Sequence, residues 1–177
     1  MAGSLSETSL TDKARRIRLV GFDVDGVLTD GRLYMGPDGL ELKVFHTRDG
    51  HGLKALMRHG IEVAVISGRH SQAVEARMQQ LGIRHLHLGV EDKAPCFEQI
   101  RQSLELPPEA CAFMGDDVVD LGVMNNVALA AAPADAHPTV QAMCHWQSRQ
   151  SGGFGAAREW CDRILTAQGH SDEYAGN

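Results

Sequence analysis

The 177-residue chain has no Cys-x-x-Cys pair; Cys96, Cys111, Cys144 and Cys161 lie far apart. That spacing argues against a disulfide framework and a four-ligand zinc centre, and for idle thiols in a reducing compartment. His85 and His87 can share one strand face, but no third ligand stands near them. No run of Lys or Arg occurs, the net charge is −6 and the pI is about 5.8. Nucleic acid and anionic membranes are therefore not expected as partners. No stretch approaches the ~20 apolar residues of a membrane helix. Residues 1–12 are Ser/Thr-rich and lack the apolar core of a signal peptide. They read as a disordered leader on a cytoplasmic protein. Internal repeats and linkers are also missing, so residues 13–177 read as a single domain.

What the sequence does contain is organised around one stretch, residues 19–30. The apolar run Leu19-Val20-Gly21-Phe22 ends in Asp23 and Asp25, followed by Gly26. Such a run reads as a buried strand leaving a sheet at its carboxyl end, where open α/β sheets hold their ligands. Two carboxylates this close repel each other, and a divalent cation relieves the repulsion. Taken alone, the same residues could be a solvated turn with Gly26 at positive φ.

Further along, the turn Gly36-Pro37-Asp38-Gly39 joins two short arms into a hairpin insert over residues 32–45. Leu40, Leu42 and Val44 line one apolar face of it, which a lone hairpin cannot bury. It is expected to pack against other subunits. His46-Thr47-Arg48-Asp49-Gly50 reads as a polar loop, and Leu53, Leu56 and Met57 as the following helix. Strands are expected over 61–66, 83–88, 110–114 and 127–130, with helices between them. A last amphipathic helix carries Ala157, Trp160, Cys161, Ile164 and Leu165 on one face. Alternating strands and helices give an α/β fold, a doubly wound parallel sheet with right-handed crossovers.

The polar residues fall where strands end: Asp23 and Asp25, then Ser67, Lys93, and Asp116 with Asp120. In a parallel sheet these exits share one edge, so the side chains converge. Paired carboxylates, a hydroxyl and a lysine suit phosphoryl transfer, which needs positioning and charge neutralisation. Mg²⁺ prefers such oxygen ligands. Arg69 also leaves a strand end, whereas Asp117 reads as a helix-start residue that accepts free N–H groups. Asp30 reads as a turn residue.

Asp-x-Asp-Gly-x-x-Thr, a strand-end Ser, a Lys and Gly-Asp-x-x-x-Asp together resemble the four-motif pattern of the haloacid dehalogenase superfamily. That resemblance implies Asp23 as nucleophile, Asp25 as general acid/base, and Ser67 and Lys93 as phosphoryl ligands. Mg²⁺ would be held by Asp23, the Asp25 carbonyl and Asp116, with Asp120 supporting from behind. A narrower set, Phe-Asp-Val-Asp-Gly-Val-Leu-Thr-Asp-Gly, Gly-x-Glu-x-Lys-x-Phe, Arg-Asp-Gly, Ile-Ser-Gly-Arg and Gly-Asp-Asp, is similar to the 3-deoxy-D-manno-octulosonate 8-phosphate phosphatases. This implies a capless homotetramer acting on a phosphorylated sugar acid in lipopolysaccharide synthesis. His46, Thr47, Arg48, Asp49, Gly50, Lys54, Arg69 and Arg77 would bind substrate, together with Asp25 and Lys93. Phosphatases of nine-carbon sugar acids share the pattern. A phospho-accepting receiver domain is the alternative of another class, but there the acidic pair and the phosphorylated Asp sit on different strands.

The tail, residues 151–177, contains Ser151-Gly152-Gly153-Phe154-Gly155 and then Arg158. Glycines permit close backbone approach, Phe154 offers a plug and Arg158 a cation. By resemblance the tail reaches a neighbouring subunit's site, so deleting it should leave a folded oligomer with altered kinetics.

Overall fold

Leu19, Val20, Gly21 and Phe22 are buried on both sides and form β1, the strand that the others flank. The structure, a computed structural model, describes residues 6–170. The chain runs through α1 (Glu7–Ala14), β1 (Leu19–Phe22), β2 (Tyr34–Met35), β3 (Glu41–Leu42), α2 (Thr47–Arg58), β4 (Glu62–Ser67) and α3 (Gln72–Leu81). It continues through β5 (His85–Leu88), α4 (Lys93–Ser103), β6 (Cys111–Met114), α5 (Leu121–Met124), β7 (Leu129–Ala132), α6 (Pro138–Met143), β8 (Trp146–Gln147) and α7 (Ala156–Ala167). Six strands pair in the order β5-β4-β1-β6-β7-β8, all parallel. Phe22 stands level with Val65 on one side and Met114 on the other. The exits of β1, β4 and β6 therefore lie side by side.

Helices cover both faces, as the alternation predicts. One core unites Leu10, Leu53, Leu56, Met78, Trp160 and Ile164 under α1, α2, α3 and α7. The other joins Phe97, Ile100, Phe113, Met124 and Val140 under α4, α5 and α6. Gly21 is required at the centre of β1, because a Cβ there would stand 2.4 Å from the Phe113 ring. The absent side chain lets Phe97 and Phe113 meet edge to face at 5.6 Å.

Several expectations need correction. The leader is not disordered throughout: residues 1–5 lie outside the described region, but Ser6 caps α1 by accepting the Ser9 N–H at 3.3 Å. Leu10 and Ala14 bury against α7 and β7, burial that tertiary contact supplies and composition conceals. His46 to Gly50 is not a loop. His46 Nδ1 accepts the Arg48 N–H at 3.1 Å and residues 47–50 are the first turn of α2. Gly50 and Gly52 weaken a helix intrinsically, yet a Cβ at Gly52 would come within 3.1 Å of Cys161, so α2 and α7 need that gap to pack. The last strand of the expected set shifts to Leu129–Ala132, because an alanine-rich run has no period and pairing with Ala112, Phe113 and Met114 sets its limits. The pattern also missed α6 and β8, six and two residues long.

The tail is the largest revision. Trp160, Cys161, Ile164 and Leu165 are fully buried in α7, so residues 156–167 belong to the core rather than to a removable appendage. Residues 171–177 lie outside the described region.

Candidate active site

The turn after β1 sets the site. Asp23 is buried, with its N–H donated to the Met114 carbonyl at 3.0 Å, which ties β1's exit to β6. Thr29 is buried as well and returns its hydroxyl to the Val24 carbonyl at 3.3 Å, closing the turn. Gly26 has φ +94°, and a Cβ there would lie 2.0 Å from Asp116 Oδ2. Glycine thus serves twice, turning the chain and admitting the Asp116 carboxylate.

Lys93, the first residue of α4, is buried and donates to Asp23 Oδ1 at 2.6 Å and to Asp120 Oδ1 at 2.7 Å. Burial alone would lower its ammonium, but the two carboxylates outweigh that and hold it above the ordinary lysine value. Asp120 Oδ2 accepts the backbone N–H groups of Asp116 and Asp117, at 3.0 and 3.3 Å. Both Asp120 oxygens are thereby engaged, which makes it a support. Asp117 accepts the Val118 N–H at 2.7 Å, the capping role read from sequence. Asp30 likewise accepts the Arg32 N–H at 3.1 Å as a turn residue.

Carboxylate oxygens of Asp23, Asp116 and Asp120 lie within 4.8 Å of one another. Burial and the neighbouring Asp120 push Asp23 up to about 6; burial, Asp23 and Asp120 push Asp116 up to about 8. Asp116 Oδ1 is buried without a hydrogen-bond partner. A cluster of hard oxygen donors with surplus negative charge and one unpaired buried oxygen fits Mg²⁺.

This has a measurable consequence for stability. Both carboxyls have folded values above the unfolded one, so the folded state binds more protons. That contribution is complete below about pH 4 and is lost as pH rises towards 8. Metal-free protein is expected to lose on the order of a few kcal/mol across that window. Mg²⁺ at a hundred times its Kd should restore about 2.7 kcal/mol, roughly 5–10 °C in Tm. Melting curves between pH 5 and 8, with EDTA or Mg²⁺, check this; superimposable curves would contradict the metal cluster.

A cleft of about 470 Å³ opens over these residues, lined by Asp23, Asp25, Ser67, Arg69, Lys93 and Asp116. Ser67 ends β4, buried, and its hydroxyl accepts the Arg69 N–H at 3.2 Å. Six of the residues read from sequence are thus brought together. Others are not. His46, Asp49, Gly50 and Arg77 surround a separate, small hollow of about 10 Å³ beside Phe45 and Leu53. Asp49 is buried, accepts the Arg158 N–H at 2.8 Å and so caps α7 from α2. Arg77 lies over Gly50 and donates to Gln80 at 2.6 Å. Thr47 is in the first turn of α2, Lys54 is on its exposed face, and Arg48 borders a hollow beside Phe154 and Arg158.

Two residues that sequence reasoning left unassigned do reach the site. Lys43 of the hairpin pairs with Asp25, and Glu41 stands 2.6 Å from Lys43 and 3.2 Å from Arg69. Their signal was present in Gly-x-Glu-x-Lys-x-Phe, the polar alternation opposite Leu40, Leu42 and Val44. The Ser151–Gly155 loop, expected to reach a neighbouring subunit's site, packs its backbone against its own chain's Asp-x-Asp turn. Gly153 donates to the Val27 carbonyl at 3.0 Å, and a Cβ on Gly152 would lie 1.8 Å from the Gly26 carbonyl oxygen. The close approach that glycine permits is to backbone here, not to a ligand.

Comparison with known proteins agrees with this geometry. The haloacid dehalogenase-like hydrolase pattern matches residues 41–127. The 3-deoxy-D-manno-octulosonate 8-phosphate phosphatase of Escherichia coli K12 is 47% identical over 164 residues, 93% of this chain and 87% of that protein. The crystal structure of the Yersinia pestis phosphatase of that name superposes with a TM-score of 0.91 at 44% identity, covering 93% of this chain and 89% of the other. The Moraxella catarrhalis phosphatase, solved with a magnesium ion, a phosphate ion and a KDO molecule, gives 0.92 at 34% identity over 96% and 97% of the two chains. A strand-end acid pair, a lysine bridging two carboxylates and near-complete relatives carry one conclusion: this chain belongs to the 3-deoxy-D-manno-octulosonate 8-phosphate phosphatase family of haloacid dehalogenase-like hydrolases.

Proposed function

We propose that this chain hydrolyses 3-deoxy-D-manno-octulosonate 8-phosphate to the free sugar acid and inorganic phosphate, a step of lipopolysaccharide sugar synthesis. The observation that carries the reading is the convergence of Asp23, Asp25, Ser67 and Lys93 on one cleft, with Asp116 beside Asp23. A carboxylate oxygen of Asp23 attacks phosphorus, and the bond to the sugar oxygen breaks. Asp25 gives its proton to that leaving oxygen. Water then attacks the aspartyl-phosphate while Asp25 takes a proton back, returning Asp23 and releasing phosphate. Ser67 and Lys93 hold the phosphoryl oxygens. Asp23, the Asp25 carbonyl and Asp116 would hold Mg²⁺, which neutralises the crowded negative charge when bound. Arg69, on the cleft wall, suits the carboxylate of the sugar acid.

A panel of phosphorylated sugars tests the substrate. Phosphate release from the eight-carbon keto acid phosphate should exceed that from glucose 6-phosphate by at least about 100-fold, the scale of one lost ion pair with Arg69. Preference for a nine-carbon acid would move the assignment to the sister enzymes; preference for glucose 6-phosphate would overturn it.

The same proposal includes a cytoplasmic homotetramer. Leu33, Met35, Leu40, Leu42 and Val44 are each more than half exposed, an apolar face that association would cover. The exposed Phe154 ring supports a tail that approaches an adjacent subunit's site while its backbone stays bound to its own chain. All four cysteines are free thiols, which suits a reducing compartment.

A further inference from the structure

Among the hairpin residues, Lys43 turns the opposite way from its neighbours. Its side chain is 1% exposed, whereas Leu42 and Val44 beside it are 58% and 57% exposed. A buried ammonium requires anionic partners, and Lys43 has two. It donates to Asp25 Oδ1, and Glu41 Oε1 approaches it at 2.6 Å, as an ion pair out of line for a hydrogen bond. The Thr29 hydroxyl stands 3.5 Å from the same Asp25 oxygen. The second oxygen, Oδ2, faces Arg69 at 3.9 Å on the cleft wall.

We infer that Lys43 is a positioning residue for Asp25: it anchors Oδ1 and leaves Oδ2 as the atom that exchanges protons with the leaving oxygen and then with water. The inference rests on the acid/base role proposed above for Asp25. Glu41 completes the device. Its carboxylate offsets one of the two cations, Lys43 and Arg69, that stand beside Asp25. Through Oε2 it also accepts from Arg69 at 3.2 Å, which ties the hairpin to the turn after β4. The insert then has two faces with two tasks, an apolar one turned outward and a polar one that sets the proton-transfer geometry.

A purely structural staple would behave differently from a positioning residue. Losing a staple slows every substrate alike. Losing the orientation of an acid slows only substrates whose leaving oxygen needs a proton, and 4-nitrophenolate leaves without one. The experiment is rapid-mixing, pre-steady-state kinetics of the Mg²⁺-loaded enzyme with substrate in excess, continued into the steady state, with the keto sugar acid phosphate and 4-nitrophenyl phosphate as probes. Lys43→Met should slow sugar release about 100-fold, the scale of one acid–base contribution, with KM within about threefold. The nitrophenolate burst should change less than threefold, with a slow phase following because water attack still needs Asp25. Lys43→Arg should recover most of the loss. Glu41→Gln, which keeps the lysine and the fold of the hairpin, should show the same leaving-group bias at smaller size. Equal losses on both probes, or no loss on either, in these variants would overturn the inference. Wild-type enzyme lacking Mg²⁺-dependent release from both probes would strike the phosphatase reading itself, and this inference with it.

Discussion

Asp23→Asn should abolish phosphate release, by at least about 10³-fold, while leaving a folded and more heat-stable protein. The amide keeps the volume of the carboxyl but is a far weaker nucleophile, and residues that act as a unit lose most of their effect when one is removed. The gain in stability follows from the same geometry. Asp23 is pushed up to about 6 by burial and by Asp120, so its ionised form is held at a cost above that pH. Lys93 retains Asp120 at 2.7 Å after the substitution, which keeps the ammonium paired. Activity with Mg²⁺ and melting temperature in EDTA, both at pH 7.5, should therefore move in opposite directions, as is common for groups held in strained sites. Asp25→Asn should differ in kind, letting phosphoenzyme form from an activated substrate and persist. Turnover by Asp23→Asn at more than one per cent of wild type would remove Asp23 from the nucleophile's place.

Deletion of residues 151–177 should unfold the protein rather than merely alter its kinetics. Trp160, Ile164 and Leu165 are fully buried in α7. At roughly 2–3 kcal/mol each, their burial is comparable with the whole stability of an ordinary domain. The truncated chain would also expose Leu53 and Leu56 of α2 and deprive Asp49 of the Arg158 N–H that it accepts from α7. The expected result is aggregation or a far-UV spectrum without a cooperative melt. A narrower variant separates the loop from the helix. Gly152→Ala places a Cβ 1.8 Å from the Gly26 carbonyl oxygen, so the Asp-x-Asp turn must move. A cost of about 3 kcal/mol is expected, and a shift of about 1 Å at the turn should lower kcat about 100-fold. A truncated protein that melts cooperatively near the wild-type temperature would show that α7 is dispensable.

The sequence by itself determined the sheet, its helices and the chemical kit at its edge. Each depends on near neighbours: period-two and period-3.6 apolar patterns specify the element, and a polar residue directly after a buried run specifies a strand exit. Asp23, Asp25, Ser67, Lys93 and Asp116 were legible for that reason, since parallel pairing brings any set of exits to one edge. Motif resemblance added the family, though not the placing of every residue assigned by analogy; Asp49 and Arg77 lie away from the cleft. What only the tertiary structure decided involves residues far apart in the chain. Lys43 meets Asp25 from 18 positions away, and Gly152 approaches Gly26 from the far end of the molecule. No local pattern marks such contacts, because a lysine in a hairpin and a glycine in a loop have the same neighbours whether they face water or a carboxylate. Burial chose between those outcomes, through the cost of leaving an ion unpaired and the space that a missing Cβ leaves open.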